Sequence, residues 1–334
     1  MARQSRTLTR ILCVTVLGSC AALVWPYVLP ALAQQPDAQP AAAGRGGRGP
    51  IPVDPRVQMR DYVFEGTSEK IPYAVFVSSK VRPGTQAPLV VALHGLGGSH
   101  TSLLRGNALD LAEEGGYILV GPMGYNPRGW YGVPATGRGG RGRSAGAPNA
   151  AGRPQGNPAC APQTTPAGGP PPNPAAGRQG PPRGTLAGAD DPPNLRELSE
   201  KDVLNVLDLV RKEFNVDERR TYLMGHSMGG AGTFHLAVKY PGTWAATASI
   251  APAAFGMQPS SLAAIPDMPM MIVHGDNDTA VPVAVGRSWA EAMKGLKMTH
   301  RYIEVPCGDH GSVISIGMPD IFKFFGDHAK TASR

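Results

Sequence analysis

The sequence predicts an α/β domain: a mostly parallel central sheet with helices on both faces, carrying one long disordered insertion. Three observations predict it. Short apolar runs such as Leu89-Val90-Val91-Ala92-Leu93 and Met270-Met271-Ile272-Val273 alternate with stretches of helical period from residue 89 onward. The runs are continuously apolar rather than alternating, as expected of parallel strands buried on both faces. Glycine-rich turns bearing His, Ser or Asp follow the strands, where sheets of this kind hold their reactive groups.

The chain has 334 residues, enough for one large α/β domain or two small ones. Arg3, Arg6 and Arg10 precede an apolar run over residues 11–29, and Ala31-Leu32-Ala33 follows it. That order is expected of a secretory leader, residues 1–33, cut after Ala33. A retained membrane anchor is the alternative. Pro26 and Pro30 interrupt the run, and the Ala-x-Ala site favours cleavage. Lipidation at Cys20 ranks below export because the run stays apolar beyond it. The mature protein is therefore expected in the periplasm or outside the cell, touching the membrane only through its leader. Residues 34–56 are Pro, Ala, Gly and Arg with almost no large apolar side chains, and read as a disordered linker.

The net charge of +7 is localised. Three positive charges leave with the leader, and Arg138, Arg141, Arg143, Arg153, Arg178 and Arg183 outweigh Asp190 and Asp191 in the insertion. The remaining chain is near neutral, so a nucleic-acid partner is not expected. Cys160 and Cys307 are the two cysteines outside the leader. In an oxidising compartment they could bridge the insertion to a loop near His310. They offer no metal-ligand spacing.

The ordered domain is expected over residues 57–328, with 329–334 as a tail. Residues 57–64 and 71–77 alternate in polarity and read as an edge hairpin. Residues 88–93 form a buried strand, 103–114 a helix and 117–120 a second strand. An aromatic loop with Tyr125, Trp130 and Tyr131 leads into residues 133–194, rich in Gly, Pro, Ala and Arg and without periodicity. This insertion reads as disordered and solvent-exposed, or as a polymer-binding surface. Ser199 with Asp202 three residues on reads as an N-cap opening a helix to Phe214. Strands follow at 221–224, 244–250, 270–273 and 300–305, and helices at 283–293 and 314–328. Residues 251–266 form a loop with one short helix.

The stretch Gly225-His226-Ser227-Met228-Gly229-Gly230 lies between an apolar strand and a small-residue helix. A serine hydroxyl is a weak nucleophile, and a sharp strand-to-helix turn presents it to a base. Ser227 is the expected nucleophile, with the Met228 N–H at the helix start as an oxyanion donor. A second donor is expected from the loop after residue 93, where Leu96 follows His94-Gly95. After the strand 270–273 comes His274-Gly275-Asp276-Asn277-Asp278. Asp278, where the chain turns toward the next helix, is favoured over Asp276 as the acid that orients the base. His310, in Gly308-Asp309-His310-Gly311, is the expected base. The order Ser227, Asp278, His310 is the chain order of one hydrolase architecture. Of the other histidines, His94 and His274 are expected to hold their loops, and His226 is the variable residue of the turn. Tyr125 and Trp130 either wall the substrate site or pack over the core.

These four motifs resemble the α/β-hydrolase superfamily. They are most similar to secreted carboxylesterases of the feruloyl-esterase and polyhydroxybutyrate-depolymerase-like group, and also to prolyl-oligopeptidase-type catalytic domains. The resemblance covers residues 57–133 and 198–328. It implies ester hydrolysis through a Ser-His-Asp triad and an acyl-enzyme intermediate, with no cofactor and with a small-molecule or oligomeric ester as substrate. A peptidase on small peptides, or a non-catalytic polymer- or cell-wall-binding protein on the same scaffold, are the alternatives.

Overall fold

The computed structural model describes residues 52–134, 157, 159–160 and 190–331. The expected leader, most of the linker and most of the insertion lie outside these residues. Eight strands form one sheet: β1 (Gln58–Val63), β2 (Lys70–Val77), β3 (Ala87–Leu93), β4 (Ile118–Pro122), β5 (Val216–His226), β6 (Thr247–Ile250), β7 (Met270–Gly275) and β8 (His300–Val305). Their spatial order is β1-β2-β4-β3-β5-β6-β7-β8. The β1–β2 hairpin joins antiparallel at one edge, and every pairing from β4 to β8 is parallel. β3 is buried along its whole length, as its unbroken apolar run requires.

Among the described residues, five α-helices cover the sheet: α1 (Asn107–Gly115), α2 (Leu195–Glu213), α3 (Met228–Lys239), α4 (Val283–Gly295) and α5 (Ser312–Asp327). α2, α3 and α4 pack on one face, where Phe234 stacks on Trp289 with centroids 3.9 Å apart. α1 and α5 pack on the other, where Tyr222 of β5 stacks on Phe325 at 4.7 Å. Large apolar contacts of this kind supply most of the stabilisation of a sheet sandwiched between helices. Among the described residues, no helix is long and apolar enough to cross a membrane.

Two local expectations need correction. The first helix starts at Asn107 rather than 103, because Gly106 has φ 57° and breaks the helical path. α2 starts at Leu195, one turn before the expected cap. Ser199 and Asp202 are buried inside it and bond to another segment instead. Ser199 Oγ accepts the Tyr131 N–H at 3.0 Å. Asp202 accepts the Gly124 N–H (2.7 Å), the Tyr125 N–H (3.2 Å) and the Tyr62 hydroxyl (2.6 Å). The spacing that resembles a cap therefore serves tertiary contacts. Those contacts hold a loop in which Tyr125, Trp130 and Tyr131 all have positive φ (64°, 60° and 50°). Non-glycine residues there are strained, and surrounding bonds must over-determine them.

Burial pushes the Asp202 carboxyl up to about 6. Its proton is bound more tightly in the folded than in the unfolded chain, so stability is full at low pH and falls as pH rises through about 6. Relative to Asp202→Asn, the wild type should lose on the order of 3 kcal/mol between about pH 4 and pH 7. Denaturant titrations of both proteins across that range check this; parallel pH profiles would contradict it.

Candidate active site

The parallel strands all end at one edge of the sheet, and the reactive turns gather there. β3 pairs with β4 on one side and with β5 on the other, so consecutive connections leave in opposite directions. This is where an open α/β sheet forms its ligand crevice. Leu93 is in register with Gly225, which sets the loop after β3 beside the turn after β5.

Ser227 sits between β5 and α3 with φ 56° and ψ −113°. Three backbone bonds hold this strained turn: Ser227 N–H to Ile250 O (2.9 Å), and Ala231 and Ala253 N–H to Ser227 O (3.1 and 2.9 Å). The flanking glycines are dictated by close approach. A Cβ at Gly225 would lie 2.1 Å from Gly229 O, and one at Gly229 would lie 2.2 Å from Leu93 O. The strand, the helix and the neighbouring loop thus touch through bare backbone. Met228 opens α3, so its N–H is among the first-turn donors without an intrahelical acceptor.

In the β3–α1 loop, Gly97 N–H bonds to Pro127 O and Gly98 N–H to Gly95 O, both at 2.9 Å. Leu96 stands between them, 48% exposed, with its N–H outside both bonds. A Cβ on Gly95 would lie 3.3 Å from Ser227 Cβ, which measures how near this loop is to the serine. His94 is buried beneath it, with Nδ1 2.7 Å from Gly95 O and Nε2 2.8 Å from Met123 O. Tyr131 donates its hydroxyl to His94 O at 3.2 Å. The expectation that His94 anchors its loop therefore describes what the structure shows.

Asp278 and His310 meet across the β7–α4 and β8–α5 loops. His310 Nδ1 donates to Asp278 Oδ2 at 2.7 Å, while Asp278 Oδ1 accepts the N–H groups of Ala280 and Val281, each at 2.8 Å. Burial raises the pKa of Asp278, but His274, His310 and the Val281 N–H outweigh it and hold the carboxyl well below its usual range. It is ionised throughout the neutral range, and its stabilising contribution is lost only in strong acid. His274 Nε2 lies 3.0 Å from Val281 O and 3.4 Å from Asp278 Oδ2, so the carbonyl is its nearer acceptor. With Nδ1 occupied, the His310 Nε2 is the nitrogen left to act on a serine.

Asp276 is placed elsewhere. Its Oδ1 accepts the Cys307 N–H at 2.6 Å and its Oδ2 accepts the Asn157 side-chain amide at 2.8 Å. Cys160 and Cys307 form a disulfide with Cα atoms 5.4 Å apart, tying the insertion to the loop three residues before His310. Both thiols of the Cys160, Asp276 and Cys307 cluster are consumed in that bond, which leaves a lone carboxylate for any cation.

Tyr125 and Trp130 are turned to other partners. The Tyr125 hydroxyl bonds to Glu69 and its ring meets Phe64 edge-on at 5.1 Å. Trp130 lies under the Arg196 guanidinium at 5.5 Å. Among the described residues, no hydrogen bond or ring contact joins either to Ser227 or His310. His226 is the residue that sequence reasoning passes over. Its ring centroid is 4.6 Å from that of His310, and its Nε2 is 2.8 Å from His310 O. Nothing in a Gly-x-Ser-x-Gly pattern marks the second position, so no sequence signal could have found it.

Residues 166–310 match the Esterase family model. A stretch of 77 residues is 40% identical to a bifunctional acetylxylan esterase/xylanase of Neocallimastix patriciarum, covering 23% of this chain and 11% of that protein. A thermostable esterase superposes with a TM-score of 0.55 at 21% identity over 82% of this chain and 64% of that one. A ferulic acid esterase from Anaeromyces mucronatus superposes at 0.54, with 16% identity, 84% of this chain and 94% of that one. An S-formylglutathione hydrolase from Agrobacterium tumefaciens does so at 0.53, with 17% identity, 82% of this chain and 95% of that one. With the strand order above, these likenesses make the chain an α/β-hydrolase-fold protein that resembles the esterases of that fold.

Proposed function

We propose that the protein is an exported serine carboxylesterase that works by acyl transfer. The observation that carries this reading is the His310 Nδ1–Asp278 bond in the loops beside a strained Ser227. Ser227 Oγ attacks the ester carbonyl as His310 Nε2 takes its proton, and the tetrahedral oxyanion accepts the N–H groups of Leu96 and Met228. Collapse expels the alcohol, which takes the proton back from His310. Water, deprotonated by the same imidazole, then releases the acid. Asp278 stays ionised and holds the ring in the Nδ1–H tautomer, stabilising the imidazolium that forms.

The relative named for acetylxylan supports an acyl group carried on a carbohydrate alcohol as the substrate class. Export rests on the leader read at residues 1–33. An esterase and a peptidase share this machinery and differ in the leaving group, so the chemistry of the substrate decides between them.

Ser227→Ala should lower kcat on p-nitrophenyl acetate by on the order of 10⁶, as removal of a triad serine does elsewhere. Asp278→Asn should lower it by on the order of 10⁴ by imposing the wrong tautomer. Asp276→Asn should be far milder, because Asp276 holds Cys307 rather than His310. Steady-state kinetics on the three purified variants check the ranking; an Asp276 variant worse than the Asp278 variant would reverse the assignment. Wild-type enzyme is expected to cleave acetyl and feruloyl esters and to leave the matching p-nitroanilides intact, which parallel assays measure directly.

A further inference from the structure

We propose that His226, the residue before the serine, is a positioning residue for the base: an imidazole protonated at Nε2 that holds the His310 backbone and braces its ring. The inference rests on the esterase reading above. The acceptor in the 2.8 Å contact is the His310 carbonyl oxygen, which cannot donate, so the proton resides on His226 Nε2. The two rings lie 4.6 Å apart at 49°. On its other side, the His226 Nδ1 would be only 3.1 Å from a Cβ added to Gly95. One ring therefore touches the loop that carries Leu96 and the loop that carries His310, while its own backbone leads into Ser227.

The anchorage of His226 is firm, because it closes β5 in register with Ile250 of β6. The loop of His310 is tied at Cys307, Gly308 and Asp309. The His310 ring itself is held by the Asp278 bond at Nδ1. The Nε2–H bond to its carbonyl fixes the other end of the residue. The titratable and charged groups facing His226 are His310 from the β8–α5 loop, Asp278 from the β7–α4 loop and Arg105 from the β3–α1 loop. Burial, reinforced by His310, pushes the His226 pKa down to about 4. The ring therefore stays neutral while its neighbour gains and loses a proton during turnover.

Two variants and one spectrum test this. His226→Phe keeps the ring contact and removes the donor. It should lower kcat on p-nitrophenyl acetate by roughly 10- to 100-fold with KM little changed, the scale expected when a catalytic group is misplaced by about 1 Å. His226→Gln restores an N–H within reach of the same carbonyl and should recover most of the loss. Wild-type kcat in His226→Phe, or a His226→Gln no better than His226→Phe, would overturn the proposal. A ¹⁵N–¹H spectrum of the histidine rings of wild-type protein at pH 7 does not depend on turnover. A neutral Nε2–H tautomer at His226 supports the proposal, and an Nδ1–H tautomer or a cationic ring overturns it. If the wild type cleaves no ester, the esterase reading fails and the spectrum still decides the hydrogen bond.

Discussion

The backbone of Ser227 occupies a left-handed conformation that a non-glycine residue holds at a cost of about 1–3 kcal/mol. Everything around it is arranged to sustain that turn. Gly225 and Gly229 permit contacts near 2 Å from a hypothetical Cβ, so β5, α3 and the loop after β3 meet at backbone distance. A side chain at either glycine would drive these elements apart and separate Ser227 from Leu96. The sheet supplies the opposing constraint through the bonds of Ser227 to Ile250 and of Ala253 to Ser227. The fold and the candidate site thus depend on the same few contacts.

Electrostatics sort the carboxylates by task. Asp278 is buried yet ionised because His274, His310 and the Val281 N–H outweigh its burial. Asp202 is buried and accepts two N–H groups and a hydroxyl, and burial outweighs these bonds and raises its proton affinity instead. One therefore holds the His310 ring, and the other fastens a strained aromatic loop. Asp276, two residues from Asp278, has a third task. It caps the Cys307 N–H beside the disulfide and so secures the start of the loop that reaches His310.

Much of this was legible in the residues. Continuous apolar runs marked β3 and β7, because strands buried on both faces have no polar face to show. The order and spacing of Ser227, Asp278 and His310 placed each after its strand. Asp278 was separable from Asp276 by its position at the turn toward α4, and the structure puts it against His310. The parts that were not legible depend on tertiary partners. Ser199 and Asp202 carry the spacing of an N-cap, yet they bond to residues 124, 125 and 131, which no local pattern reveals. Tyr125 and Trp130 could line a site or pack against neighbours, and only the placement of Glu69, Phe64 and Arg196 separates these. His226 reads from the sequence as the variable residue of the turn, and its contact with the His310 carbonyl is visible only in the structure.

The proposed mechanism requires Ser227 to be an activated nucleophile. A fluorophosphonate probe forms a stable adduct with such a serine, and peptide mapping by mass spectrometry locates it. One adduct is expected in the folded wild-type protein, on the peptide containing Ser227, and none in Ser227→Ala. An unlabelled wild type, or an adduct on a different serine that persists in Ser227→Ala, would contradict it.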